Sequence, residues 1–336
     1  MSPSSLCGCH LTALVIGRDR PMLTYEKLAR RPTHFLRFAG LTVEQFDPVL
    51  SVLAPRVEVA RRERLSRSSR QRALGGGGKY RLALADRLLM TLCYHRLYLT
   101  QTLLGYLFDL DGSNVCRNLQ EITPLLRDVL PTPERVLSKT LATMKRIGSP
   151  EELFEKFPDL KLIVDATEQP VQRPKDKTKR NAHYSGRRKR PTKKRQVIVT
   201  SSGLILDQSP SVPGRVHDWK LFQSHYDGMP RLGPLFESVV TYVDSGYQGI
   251  EPFLPRCRIR IIQRARRNRP LREKETRRNS LRSSHRIRVE HAISRIKKYR
   301  IAADIYRGGD RTYDTHMGVV AGLANLRRAD ALGITV

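Results

Sequence analysis

The sequence predicts an α/β domain built on a mixed sheet and preceded by an all-α segment. Three observations predict it: residues 23–130 read as successive helices, residues 161–263 hold five strand-length apolar runs, and an amphipathic helix closes the pattern near 281–300.

In chain order, Thr42 offers an N-cap to a helix carrying Phe46, Val49, Leu50 and Leu53. Residues 56–82 turn basic and Gly-rich, ending in Gly75-Gly76-Gly77-Gly78-Lys79-Tyr80, and are expected to form a linker or DNA-facing loop. That run is not a Walker phosphate loop, because Ala73 stands where the first Gly belongs and Tyr80 where Ser or Thr must follow the Lys. A helix over 84–97 places Leu84, Leu88, Leu89 and Leu92 on one face, and 100–108 reads as a second. A third begins at Ser113 as N-cap, burying Val115, Leu119, Ile122 and Leu126 and leaving Asn114, Arg117, Asn118 and Glu121 on the opposite face. Three short helices with a Gly-containing turn and base-reading residue types on the last predict a helix-turn-helix at about 84–130, within a helical DNA-binding region spanning 23–130. Plain helical packing is the competing reading, and the charge of the chain decides between them.

That charge is +30 over 336 residues, which points to a polyphosphate partner, since Lys and Arg displace counter-ions from a nucleic-acid backbone. The basic residues cluster: twelve Lys or Arg against Asp176 alone from Arg173 to Arg195, and eighteen against three acids from Arg256 to Arg300. One such run reads equally well as a solvated surface. Two of them flanking a set of carboxylates favour a groove that tracks phosphates.

Residues 131–160 connect to a second domain placed at 158–328. Strands are expected at 161–165, 196–200, 203–208, 239–243 and 259–263, with a hairpin turn at Ser201-Ser202-Gly203 and helices near 217–226 and 281–300. Three strands, a helix, two strands and a closing helix match the ribonuclease-H-like order.

Three carboxylates stand out. Asp165 and Asp244 each end an apolar run, where ligand sites form in open α/β sheets. Glu290 lies in a basic helix whose apolar positions are 289, 292, 293 and 296, with Arg286, Glu290, Ser294 and Lys297 as a polar stripe beside them. Singly, an Asp after a strand is as often a turn residue and a Glu between Arg residues a surface ion pair. Brought together, three acids repel unless a cation holds them, and an oxygen-rich set suits Mg²⁺ or Mn²⁺.

With these residues the chain resembles the DDE transposases of bacterial insertion sequences, specifically the group typified by insertion sequence five. The matching elements are Asp165 with Thr167-Glu168, the His217-Asp218 pair before a helix, Asp244-Ser245-Gly246-Tyr247, and the Arg286, Glu290, Lys297 array, spread over roughly residues 23–328. One position departs, with Ser283 where members often carry a Tyr three residues before the Arg. The resemblance implies a ribonuclease-H-like catalytic domain with two divalent ions, Mg²⁺ or substituting Mn²⁺, Asp165 bridging both, Asp244 holding one and Glu290 the other. It implies strand cleavage at terminal inverted repeats followed by strand transfer, with Arg286 and Lys297 on phosphates, double-stranded DNA of the element ends and target as partner, and a homodimer as a hypothesis for pairing two ends. Glu168 is expected to finish a turn rather than assist the metal. His217 is a proton relay or phosphate contact on one reading and a helix cap on the other. Trp219 is expected in the core.

Two other classes stay open. A domesticated DNA-binding protein of the same fold is expected to lose one of the three acids, all of which are present. A structure-selective nuclease would keep them without strand transfer. No Gly-x-Ser-x-Gly elbow supports a serine hydrolase. Five cysteines form no zinc or disulfide framework, Cys7-Gly8-Cys9-His10 included, which points to a reduced cytosol, in keeping with a bacterial nucleoid-associated protein. No run approaches the roughly 20 apolar residues of a membrane span. Because the resemblance begins near Leu23, Met22 is a candidate start and 1–22 a leader foreign to the fold.

Overall fold

The computed structural model describes residues 21–66, 80–147, 160–265 and 269–334. Three helices open it: α1 (Tyr25–Ala29), α2 (Pro32–Ala39) and α3 (Val43–Leu65). Thr42 caps α3 in a capping box, its side chain accepting from Gln45 N while the Gln45 side chain accepts from Thr42 N. The helix then runs through Pro55 to Leu65, so 56–65 is not part of a linker. Buried Val57 and the pairing of Glu58 with Arg61 and Arg62 carry it on past the proline. The glycine run of the expected linker, like the leader with Cys7 and Cys9, lies outside the described residues.

The next three helices are α4 (Leu84–Leu97), α5 (Gln101–Phe108) and α6 (Gly112–Val129). Left-handed Tyr98 and Asp109 terminate α4 and α5, and Thr100 caps α5 through Leu103 N at 3.2 Å. At the turn into α6, a Cβ on Gly105 would stand 2.3 Å from the Leu110 carbonyl oxygen, so only glycine permits this approach. Asp111, not Ser113, holds the N-cap position of α6, and Ser113 lies in the first turn.

After α7 (Pro133–Ile147) comes the sheet. β1 (Lys161–Pro170) pairs antiparallel with β3 (Arg190–Thr200) on one side and parallel with β6 (Val240–Val243) on the other, and β6 pairs parallel with β7 (Arg258–Ile261). The far edge of β3 is lined by three short strands, β2 (Tyr184–Ser185), β5 (Val212–Pro213) and β4 (Ile205–Gln208). With β4, the order β4-β3-β1-β6-β7 makes the mixed ribonuclease-H-like sheet. Gly203, at φ +85°, turns β3 into β4 as the sequence predicts. Short α8 (Lys177–His183) lies between β1 and β2; α9 (Asp218–Asp227) and α10 (Leu232–Ser238) precede β6, and α11 (Ile250–Phe253) precedes β7. α12 (Glu273–Lys297) starts a full two turns before the expected helix, and α13 (Arg300–Ala303) and α14 (Asp310–Asp330) follow.

Alternation along β1 divides the core. Leu162 and Val164 pack with Phe222, Phe236 and Tyr247 on one face, with Trp219 partly buried against them, while Ile163 joins a second cluster on the other. That second cluster is continuous from Phe35 of α2, through α4 and α6, to Val289 of α12 and Val320 of α14. The N-terminal helices are therefore keyed into the closing helices. Buried hydrogen bonds add direction to this packing: Tyr299 Oη donates to Gly40 O at 3.1 Å, and Asn325 bonds both backbone groups of Ile205 and the Pro131 carbonyl. No helix among the described residues is long and apolar enough to cross a membrane.

Candidate active site at the end of the parallel strands

The parallel pairing of β1 with β6 runs from Lys161–Val240 to Val164–Val243. The next residue of each strand is an aspartate, so this register brings Asp165 and Asp244 to one sheet edge. β1 does not end there, contrary to the expected 161–165: it continues to Pro170 because β3 pairs with it as far as Thr192. Asp244 caps the 3₁₀ turn Ser245–Tyr247 by position, and its Oδ1 accepts from Ser245 Oγ at 3.3 Å.

α12 crosses this edge. Its buried residues Val289, Ala292 and Ile296 seat it, and the stripe Arg286, Glu290, Ile293, Lys297 then faces the cleft. Ile293 takes the place expected of Ser294, which is exposed, because a spacing of 4, 3 and 4 follows a straight helix more closely than 4, 4 and 3. The cleft, about 340 Å³, is lined by Asp165, Asp244 and Glu290 together. Arg286 spans the two aspartates, with Nη2 3.0 Å from Asp165 Oδ2 and Nη1 3.4 Å from Asp244 Oδ1. Its buried Nε has no hydrogen-bond partner. Glu290 is exposed, and among the described residues no three acidic, His or Cys side chains stand close enough to hold one ion.

Burial raises the Asp165 carboxyl above the usual carboxylate range, and Asp244 and Asp218 add to that. Arg286 and the hydrogen bond from Ala166 N oppose it. Burial together with Arg188 and Arg187 lowers the Lys297 ammonium, against the pull of Glu168 and Asp165.

Glu168 lies within β1 rather than in a turn. Its carboxylate accepts from Thr192 Oγ1 at 3.0 Å and meets Lys194 Nζ at 3.5 Å. Lys194, only 8% exposed, also reaches Asp218 Oδ1 and the Val216 carbonyl, both at 2.8 Å. Sequence reasoning missed Lys194 as a cleft residue and noted Asp218 only within the His217-Asp218 pair: the lysine is one of twelve basic residues in a run, and only its register opposite Glu168 singles it out. His217 takes the cap reading, its Nδ1 accepting from Trp219 N at 3.3 Å, and it does not line the cleft. Trp219 packs against Phe222 and Phe253, and Tyr247 is fully buried.

On α6, Asn114 and Arg117 are exposed, and Arg117 Nη1 donates to Asn114 Oδ1 at 2.8 Å. Asn118 is not on that surface. It is 6% exposed, accepts from Arg87 Nε at 2.8 Å and donates to Arg87 O and Thr91 Oγ1, each at 3.2 Å. α6 is packed against α4 on the flank that the sequence assigns to solvent, and a residue so saturated has no group left for a base edge.

The donor set suits a hard divalent cation. Two carboxylates stand at one edge, a single guanidinium answers them both, and Glu290 of α12 lines the same cleft, all oxygen donors of the kind such an ion takes.

Residues 164–325 match the family model described as DDE superfamily endonuclease, and residues 80–132 match the helix-turn-helix of DDE superfamily endonuclease. Two curated relatives are named as transposases for insertion sequence elements. That of IS702 from Microchaete diplosiphon is 26% identical over 303 residues, covering 88% of this chain and 94% of its own. That of IS112 from Streptomyces albus G is 25% identical over 295 residues, covering 87% and 94%. No solved structure matches the chain. Asp165, Asp244, Arg286 and Glu290 all fall within the matched endonuclease region, and α4 to α6 within the matched helix-turn-helix. Residues 164–325 are thus similar to the DDE superfamily of endonucleases and residues 80–132 to the helix-turn-helix that accompanies it, and the two curated relatives are named as insertion-sequence transposases.

Proposed function

We propose that this protein is a transposase that binds the terminal inverted repeats of its own element, cuts DNA there and transfers the freed strand to a target. The observation that carries this reading is the shared register of Asp165 and Asp244 beneath Glu290 of α12. Asp165, Asp244 and Glu290 would hold two divalent ions, Mg²⁺ with Mn²⁺ as substitute. Such ions, when bound, stabilise the attacking and leaving oxygens of an in-line phosphoryl displacement.

The other cleft residues bind and orient DNA. Arg286, with its planar fork, and Lys297 contact phosphates beside the scissile bond. Arg187 and Arg188, at the cleft mouth, extend the track. Lys194 positions Glu168 and Asp218 and balances part of their charge beside the two aspartates. Asn114 and Arg117 read or position the duplex from the exposed start of α6. In the first step a water oxygen attacks phosphorus and the 3′ oxygen leaves with a proton. In the second that 3′-hydroxyl attacks a target phosphodiester, forming one P–O bond as another breaks. The action belongs in the bacterial cytoplasm, on nucleoid DNA, with a second copy of the chain pairing the other end.

Strand transfer is the test that separates this reading from a plain nuclease. A labelled duplex ending in the element's terminal repeat, incubated with a supercoiled plasmid and Mg²⁺, should become joined to the plasmid through its 3′ end. Cleaved but never joined label would favour the structure-selective nuclease.

A further inference from the structure

Five acidic and five basic side chains line the cleft, so it is formally neutral without metal or DNA. Its basic residues are not equivalent. Lys194 is already engaged by Asp218, Glu168 and the Val216 carbonyl. Arg286 alone, among the described residues, pairs with both Asp165 and Asp244. Its guanidinium engages Asp165 Oδ2 and Asp244 Oδ1, so one side chain occupies both carboxylates at this edge.

We propose that Arg286 is the resident counter-ion of Asp165 and Asp244 in the DNA-free protein, and that a divalent ion and a DNA phosphate replace it together, making metal and DNA binding mutually dependent. The inference rests on the metal-and-DNA reading above and adds the order of events within it.

Three physical arguments carry it. A guanidinium and a divalent cation set at the same pair of carboxylates repel each other, and two carboxylates that balance one guanidinium do not also balance two further positive charges. Arg286 must therefore leave when metal enters, and a buried cation leaves only toward another anion. A phosphate in the cleft is that anion, and the arginine fork suits it bidentately. Second, the present seat is incomplete. The buried Nε of Arg286 has no partner, so a donor goes unused until a phosphate oxygen reaches it. Third, each divalent ion adds two positive charges to a neutral cleft, and each phosphate removes one. By linkage, DNA must then tighten metal binding as much as metal tightens DNA binding.

The test measures Mn²⁺ binding to the full chain by electron paramagnetic resonance, with and without a duplex taken from the DNA that flanks the gene. In the wild type the duplex should tighten Mn²⁺ binding about tenfold. Arg286→Gln should bind Mn²⁺ about tenfold more tightly than wild type without DNA, and the duplex should then tighten Mn²⁺ binding by much less than it does in wild type. Arg286→Lys keeps the charge but cannot span both carboxylates, so it should lose most of the coupling even if the Gln variant folds poorly. Mn²⁺ binding by Arg286→Gln that is equal to or weaker than wild type, or a full DNA effect in that variant, overturns the proposal. Asp165→Asn separates the two levels. If it abolishes Mn²⁺ binding while Arg286 variants behave as wild type, only the exchange fails; if it binds as wild type, the metal-site reading fails and the exchange with it.

Discussion

Val164 faces Val243 at the last rung of the parallel pairing between β1 and β6, and an aspartate follows each. A slip of one residue in this register would turn one of the two carboxylates to the opposite face of the sheet. The apolar runs that lock the register, Leu162-Ile163-Val164 and Val239 to Val243, thus position the two carboxylates as well as the core.

Asp165 is held at a cost. Its folded pKa lies above the ordinary carboxylate value, chiefly through burial, so the folded chain binds this proton more tightly than the unfolded chain. Stability from this group is therefore full below the unfolded value and lost as pH rises through the folded one. In chelator, Asp165→Asn should melt at a higher temperature than wild type near neutral pH, and the gap should close toward about pH 4. A variant that melts lower at neutral pH would show that pairing with Arg286 dominates over burial.

Asn118 and Arg117 are neighbours with opposite duties. Asn118→Ala removes the acceptor of buried Arg87 Nε and should cost about 1–3 kcal/mol in urea unfolding. Arg117→Ala should leave stability within about 0.5 kcal/mol and lower the salt slope of DNA binding by about 1. Equal stability losses in both would place Arg117 in the fold instead of on the duplex.

The contrast shows where sequence reading reached its limit. The strands, the two aspartates and the seated face of α12 were legible because period-2 and period-3.6 patterns report burial directly. Asn118 was not, because α3, α4, α5 and α14 all pack against α6 and only the position of Arg87 tells which polar residue is enclosed. β1 was drawn too short for a related reason: Glu168 and Gln169 look like a turn until β3 supplies Lys194 and Lys193 opposite them. Nor could the basic run identify Lys194 as a buried pairing residue rather than one more phosphate contact.

A buried histidine pair should make the fold acid-labile. His316 Nδ1 and His95 Nε2 are 3.0 Å apart, joining α14 to α4, and His95 Nδ1 donates to Thr91 O at 2.8 Å. Burial holds both imidazoles neutral, His95 down to about 4. With folded values depressed, their contribution to stability is present above the unfolded value of about 6.5 and is lost as pH falls through the folded ones. Melting temperature should drop between about pH 6.5 and 3, and His316→Phe should flatten that drop. An unchanged slope in the variant would assign it to carboxylates.

Glu290 is exposed on α12 and makes no buried contact, so Glu290→Gln should leave stability within about 0.5 kcal/mol of wild type. It should nonetheless abolish DNA cleavage. Retained cleavage would remove Glu290 from the site.

The central claim is that Asp165 and Asp244 form a metal-dependent DNA-cutting centre, and nicking of an end-labelled duplex carrying the element's terminal repeat tests it most directly. Wild type with Mg²⁺ or Mn²⁺ should release 3′-hydroxyl ends, while chelated wild type and Asp244→Ala should release none. Cleavage by Asp244→Ala at the wild-type rate, or tight binding without cutting by both proteins, would contradict it.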